Sequence, residues 1–387
     1  MALRYHLILN LMENNFYSDK ENEDEFPRAF EDYITAKAQG ELDSLNLGED
    51  EFEYVLDRLI EEGMQDEVLE LAELAFERYP YSAQILVRLC DTLVLMGNPD
   101  KALEILAAYK DSFSANSTIY FLFSRANIAK KCFSHAREYF YKALEFDADN
   151  HETMDSTTAL AQDCIDAGNY EEAVYYLDKA SRYGELPYEF FNDYAFCYDR
   201  MDAPEKAEYC YDKYLDKNPF NDTVWFNMGT VQARLKNFEK AIDAFEYSIA
   251  LNPENSSSLY NLAVVYMNLQ RYGDAAATFE QFVKIDTDIL GRLGLGEAYI
   301  RLERYQDALE QFSQVDIQCG EQHSEALAGT NSVNAILRCK EGKYEEFKEL
   351  FLKVLDTGTA WIGVIYDMLP FLEGEGWFLE FLSGIKK

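Results

Sequence analysis

Apolar and small residues return every 34 positions along most of this chain. In the stretch that opens at Thr223 they are Trp225, Met228, Gly229, Ala241, Phe245 and Pro253. One period later the same places hold Leu259, Leu262, Ala263, Ala275, Phe279 and Thr287. One period earlier they hold Phe191, Tyr194, Ala195, Ala207, Tyr211 and Pro219. The first half of each period spaces these residues at i, i+3, i+4 and i+7, as in Leu259, Leu262, Ala263 and Tyr266. That spacing lines them along one face of a helix. A break containing Gly or Asn follows, and then a second stripe. The pattern predicts helical hairpins that stack, each burying its apolar face only against its neighbours.

Nine hairpins can be laid down, starting near Glu49, Ala83, Ser117, Met154, Tyr188, Asp222, Ser256, Ile289 and Ala328. His151 to Thr153 lengthen the junction before the fourth, and about five residues intervene before the ninth. The third residue of the first stripe is small nearly throughout: Cys90, Ser124, Ala161, Ala195, Gly229, Ala263, Gly296 and Ala335. Helices that cross closely need a missing side chain at the contact. The second helices carry Ala102, Ala136, Ala173, Ala207, Ala241, Ala275 and Ala308, each followed four residues on by Leu or an aromatic ring. Leu56 in the first repeat and Phe347 in the ninth break the rule, so the first repeat is degenerate and the ninth is expected to pack more loosely or in a rearranged way. Breaks such as 96–99, 167–170, 235–238 and 341–344 offer Gly or Asn for the left-handed residue that ends a helix. Pro80, Pro219 and Pro253 close second helices.

Repeat length, small slots and midway break together resemble the tetratricopeptide repeat family over residues 49–361. The resemblance implies an all-α, right-handed superhelical solenoid whose first helices line a concave groove. Residues 1–48 are then an acidic N-terminal segment, partly disordered, with a weak helix over Phe26 to Ala38. Residues 362–387 are apolar capping helices, and this end of the chain is expected to bury Trp361 and Trp377. Groove positions of the family fall here on Asn192, Arg200, Phe226, Asn227, Thr230, Arg234, Tyr260, Asn261, Asn268 and Arg301, the expected peptide-binding residues. Asn227 and Asn261 occupy equivalent sites on adjacent repeats, where carboxamides can bond the backbone of an extended peptide. Arg200, Arg234 and Arg301 would form a ladder along one edge. Relatives that clamp a terminal carboxylate carry Lys one place after the opening large residue. That place holds Phe121, Thr158, Asn192, Phe226 and Tyr260, so a chaperone tail is not the expected ligand.

Charge narrows the partner. The chain has 71 acidic against 35 basic residues, and residues 13–77 alone hold 22 acids and 4 bases. A phosphate backbone or an anionic membrane needs clustered Lys and Arg, so neither is expected as a partner. The groove positions of the first five repeats are acidic (Asp50, Glu53, Asp57, Glu61, Asp91, Asp155, Asp166, Glu189, Asp193, Asp199), against Arg88, Arg125 and Arg200. That half suits a basic segment, and a solvated, solubilising surface is the plainer reading. Tyr175 and Tyr209 share a slot on consecutive second helices and would lie on the convex side.

Seven cysteines without a CxxC pair, several at core slots, point to a reducing compartment. The N-terminal apolar run, His6 to Met12, is broken by Asn10 and lacks a cleavage site, so neither a signal peptide nor a membrane span is expected. These features place the protein in the cytoplasm. The four histidines lack metal-ligand spacing, and no phosphate loop, GxSxG or HExxH is present. No catalytic residue, metal or cofactor is expected. The sequence reads as a non-enzymatic protein-interaction scaffold. Two alternatives stand beside it: a structural protein that self-assembles, as a homodimer, through the apolar C-terminus, and a peptide-sensing regulator.

Overall fold

The computed structural model describes residues 26–146, 150–358 and 360–385; the expected apolar run at His6 to Met12 lies outside them. The chain divides into two compact units, Met1–Asp202 and Ala203–Lys387. In the first, α1 (Pro27–Gln39) precedes four hairpins. These are α2 (Glu49–Glu61) with α3 (Gln65–Arg78), and α4 (Ala83–Leu95) with α5 (Pro99–Tyr109). Next come α6 (Ser117–Ala129) with α7 (Phe133–Phe146), and α8 (Asn150–Asp166) with α9 (Tyr170–Ala180). Helix α10 (Phe190–Arg200) ends the unit.

The second unit opens with α11 (Pro204–Leu215). Its hairpins are α12 (Asp222–Arg234) with α13 (Phe238–Leu251), and α14 (Ser256–Asn268) with α15 (Tyr272–Ile285). They continue with α16 (Ile289–Arg301) and α17 (Tyr305–Cys319), then α18 (Ser324–Lys340) and α19 (Tyr344–Thr357). Helix α20 (Ala360–Met368), a 3-10 turn (Pro370–Gly374) and α21 (Gly376–Ile385) close the chain. No strand occurs among the described residues. Within each unit the helices of a hairpin pack together and successive first helices lie side by side. The fold is an all-α repeat solenoid, and each unit has its own core.

Six first helices begin where the periodicity sets them: Glu49, Ala83, Ser117, Asp222, Ser256 and Ile289. Helices α8 and α18 instead start four residues early, at Asn150 and Ser324. The extra residues add a helical turn rather than lengthening a junction. Turn chemistry also differs from expectation. The left-handed residue in successive hairpins is Gly63, Gly97, Lys131, Gly168, Asp202, Lys236, Gln270, Glu303 and Gly342. At the break 235–238 it is Lys236 that turns, while Asn237 keeps a φ of −83°. Asn serves elsewhere, at helix starts: Asn116, Asn169, Asn221 and Asn255 each accept an N–H from three residues on. That bond satisfies one of the orphan donors of a helix N-terminus.

The small slots hold the hairpins closed. A Cβ at Gly229 would come within 2.7 Å of the Phe245 ring. Phe312 sits between two glycines: a Cβ on Gly296 would overlap its ring, and one on Gly329 would come to 2.6 Å. The ends depart, as Leu56 and Phe347 foretell. Leu56 and Phe347 are both fully buried, the latter under α21 through Trp377 and Phe378. Trp361 is buried, its Nε1 donating to Glu325 at 3.0 Å and its ring edge-on to Phe312. Trp377 is only half-buried, lying against Tyr344.

At the other end, residues 27–47 are packed rather than loose. Tyr33 is fully buried and donates to Glu67 at 2.9 Å. Arg78 and Tyr79 donate to the carbonyls of Asp43 and Leu47. No helix of the described residues is long and apolar enough to cross a membrane.

Two glycine substitutions should move stability in opposite directions. Gly229→Leu meets the Phe245 ring and should cost about 1–3 kcal/mol by overpacking. Gly363→Ala, in α20 with open space around it, should gain about 0.5–1 kcal/mol from helix propensity. Urea denaturation reads both; an unchanged midpoint for Gly229→Leu would remove the proposed ring contact.

Candidate functional site

The packing stripe of each first helix is committed to its neighbours, which leaves the opposite stripe for other uses. In the second unit that stripe begins with Phe226 and Tyr260, one repeat apart. Both are half-buried because their rings rest on the core: Phe226 on Phe245 at 6.1 Å, Tyr260 on Phe279 at 5.9 Å and Phe282 at 5.7 Å. Beside them, the carboxamides of Asn227 and Asn261 are half-buried and make no hydrogen bond to another described residue. Thr230 and Asn268 are engaged locally. The Thr230 hydroxyl donates to the Phe226 carbonyl at 3.1 Å, and the Asn268 amide to the Val264 carbonyl at 3.0 Å. Arg234 is exposed.

Arg301 has a different role from the expected edge ladder. Its side chain is only 13% exposed. It donates to Asp367 of α20 at 2.5 Å and to Glu297 at 3.2 Å. The guanidinium therefore ties α20 to α16, and a ligand at Arg301 would compete with Asp367. In the first unit, Asn192 is half-buried and Arg200 is exposed, its guanidinium 5.1 Å from the Phe196 ring.

The first unit gathers the carboxylates. Arg88 of α4 pairs with Asp57 of α2 at 2.7 Å. Arg125 of α6 is buried between Asp91 of α4 and Asp163 of α8, reaching Asp163 at 2.8 Å. These arginines link four successive first helices. Asp163 and Gln84 were not singled out from the sequence; the Asp91-to-Arg125 spacing of one repeat was the available signal. Burial pushes Asp57 and Asp163 up, and the arginines pull the other way. Glu53 rises to about 7, from burial first and then from the charges of Glu49, Asp57 and Asp50. The Gln84 amide, turned to face it, donates to its carboxylate.

On the second helices, Tyr175 bonds Tyr141 hydroxyl to hydroxyl at 2.6 Å, under the Arg137 guanidinium at 4.0 Å. Tyr209, in the other unit, is 59% exposed. Burial pushes the Cys90 and Cys197 thiols up to about 12, so these are packing groups rather than nucleophiles. Among the described residues no cluster of His, Cys, Asp and Glu could hold a metal ion.

This geometry, two helices per 34 residues with small slots filled by rings, meets its match in residues 226–288, which fit the tetratricopeptide repeat signature. Over these residues the chain is a tetratricopeptide repeat, and its other hairpins repeat the same helix-turn-helix fold. No curated protein matches it. Among solved structures, MamA from Desulfovibrio magneticus RS-1 (residue 41 to its end) is 21% identical, with a TM-score of 0.41, covering 43% of this chain and 94% of that one. Pseudomonas aeruginosa PilF is 20% identical, with a TM-score of 0.40, covering 61% and 99%. The first tetratricopeptide domain of Spaghetti (RPAP3), solved with an HSP90 peptide, is 20% identical, with a TM-score of 0.29, covering 30% and 93%.

Two expectations follow for the repeat faces. Because the folded-state value of Glu53 lies above its ordinary 4.5, the native protein holds this proton more tightly than the unfolded chain does. Stability from this group is therefore full below pH 4.5 and declines as the pH rises to about 7. Glu53→Gln should flatten that decline in urea midpoints taken across the window. An equal decline in both proteins would show that Glu53 is not its source. Arg301→Ala should destabilise by about 1.5–3 kcal/mol, the range for charged hydrogen bonds; a change within about 0.5 kcal/mol would mark a plain surface residue.

Proposed function

We propose that the protein is a non-enzymatic protein–protein interaction scaffold, and that the second unit holds an extended segment of its partner along α12 and α14. The observation that carries this reading is the pair of unpartnered carboxamides, Asn227 and Asn261, set one repeat apart beside Phe226 and Tyr260. A carboxamide offers both donor and acceptor, the complement of a peptide unit. Packed helices lie about 8–10 Å apart, and an extended chain advances about 3.3 Å per residue. The two amides therefore match peptide groups about three residues apart. The half-buried rings give apolar side chains a surface between them, and Arg234 adds a cation at the edge.

For the first unit we infer a basic segment. Its two inner arginines are already paired with Asp57, Asp91 and Asp163, so the charge left over is acidic, centred on Glu53 and its neighbours.

A variant with Asn227→Ala, Asn261→Ala and Arg234→Ala loses no core contact and should fold normally, each change moving stability by less than about 0.5 kcal/mol. It should lose partner capture by about tenfold or more, since 1.4 kcal/mol suffices. Tyr209→Ala, on a second helix, should capture normally. Quantitative mass spectrometry of proteins held by each bait makes the comparison. Retention by the triple variant with loss by Tyr209→Ala would put the binding face on the other side of the repeats.

A further inference from the structure

The ninth hairpin carries Phe347 where seven other second helices carry alanine, and a cleft results. Phe347 meets Trp377 and Phe378, each at 5.9 Å, and Phe351 meets Phe378 at 5.4 Å and Phe381 at 6.0 Å. Helices α19 and α21 thus touch through rings, and their backbones hardly approach one another. The space between them is an open cleft of about 710 Å³. Its apolar lining is Leu352, Trp377, Phe381 and Ile385. Leu352 and Ile385 remain 39% and 40% exposed, although the chain contributes nothing among its described residues to cover them.

The charged lining is Glu345, Glu349, Glu380 and Lys348. Lys348 pairs with Glu345 at 2.7 Å, and its ammonium lies 5.5 Å from the Trp377 ring and 5.9 Å from Phe381. The chain's own lysine therefore shows how this cleft receives a cation, with aromatic faces beneath and a carboxylate beside it. Glu349 and Glu380 have no ion pair among the described residues.

We propose that the cleft between α19 and α21 is a docking site for an amphipathic helix with apolar anchors and a basic flank. Apolar side chains at i, i+3 or i+4, and i+7 would cover the aromatic floor. Lysine or arginine beside them would meet Glu349 and Glu380. A helix is the fitting form because it satisfies its own backbone groups, whereas an extended chain would lay unpaired N–H and C=O groups over an apolar floor. The ten residues of α21 run about 15 Å, which accommodates about three turns of the incoming helix. A second copy of this chain fits worse, since it would bring the same carboxylate-rich rim against this one. The proposal stands apart from the reading at α12 and α14 and does not depend on it.

The test is fluorescence anisotropy with the full chain and two labelled synthetic peptides of about 18 residues, five helical turns. Both carry the same Leu and Phe face; one has lysines beside it, the other glutamates. The lysine peptide should bind at least about tenfold more tightly than the glutamate peptide. The double variant Glu349→Lys, Glu380→Lys should reverse that order, and Ile385→Asp should weaken both peptides. The Asn227, Asn261 and Arg234 variant should bind the lysine peptide like the parent. Equal binding of both peptides, or a preference that survives the double charge reversal, overturns the proposal. So does sedimentation showing a dimer that Ile385→Asp dissociates, since a second copy would then fill the cleft.

Discussion

One contact recurs along the second unit and sets its packing: a ring from one helix pressed on a glycine of a neighbouring helix. Phe245 rests on Gly229, and Phe312 is held between Gly296 and Gly329. Each ring, fully buried, is worth about 1.5–3 kcal/mol by area alone, and it reaches that burial only because the opposing slot is empty. The same contact fixes the helix spacing, since the ring fills the gap and a methyl group would overfill it. A stripe used in this way cannot vary much. The opposite stripe of the same helix carries no such duty, so Asn227, Asn261 and Arg234 can be polar without loss to the fold. The packing duty and the freedom to carry polar groups fall on different faces of one helix.

A stack held by neighbours alone has trouble at its ends, where the last hairpin lacks a neighbour. This chain answers differently at each end. Near the start, Arg78 and Tyr79 strap the segment at Asp43 to Leu47 down by its carbonyls, and Tyr33 buries its ring. At the finish, the small slot is abandoned for Phe347, and α20 and α21 supply rings instead of a close helix crossing. Asp367 then anchors α20 through Arg301. The aromatic substitute covers the core but leaves α19 and α21 apart, which is why apolar surface persists there.

Much of this was legible beforehand because 34-residue spacing is a direct record of hairpin packing. Six first helices start at the residues the period marks, and the departures at Leu56 and Phe347 were visible as broken slots. What escaped depends on partners distant in sequence. The positions 151–153 look like spare junction, yet they extend α8, because nothing in the local residues distinguishes a longer loop from another helical turn. Lys236 takes the left-handed turn in place of Asn237, since the hairpin geometry demands that conformation at one fixed position whatever residue stands there. Arg301 sits at a groove position by register, but its carboxylate partner lies 66 residues away in α20, beyond any periodic argument.

The two faces should also differ in how they respond to salt. Along the first unit, Arg88 and Arg125 each reach carboxylates on adjacent helices, so their positive charge is already neutralised and the surplus among their neighbours is negative. First helices packed about 8–10 Å apart put the carboxylates of neighbouring repeats at about the Debye length of physiological salt, about 8 Å. Their mutual repulsion is then only partly screened, and a basic segment would relieve it while gaining its own attraction. Such binding would be fast and would weaken as salt is added. A peptide backbone held by the Asn227 and Asn261 carboxamides exchanges neutral hydrogen bonds, and salt should leave it nearly untouched. Charge would draw a partner to the first unit, and geometry would hold one on the second.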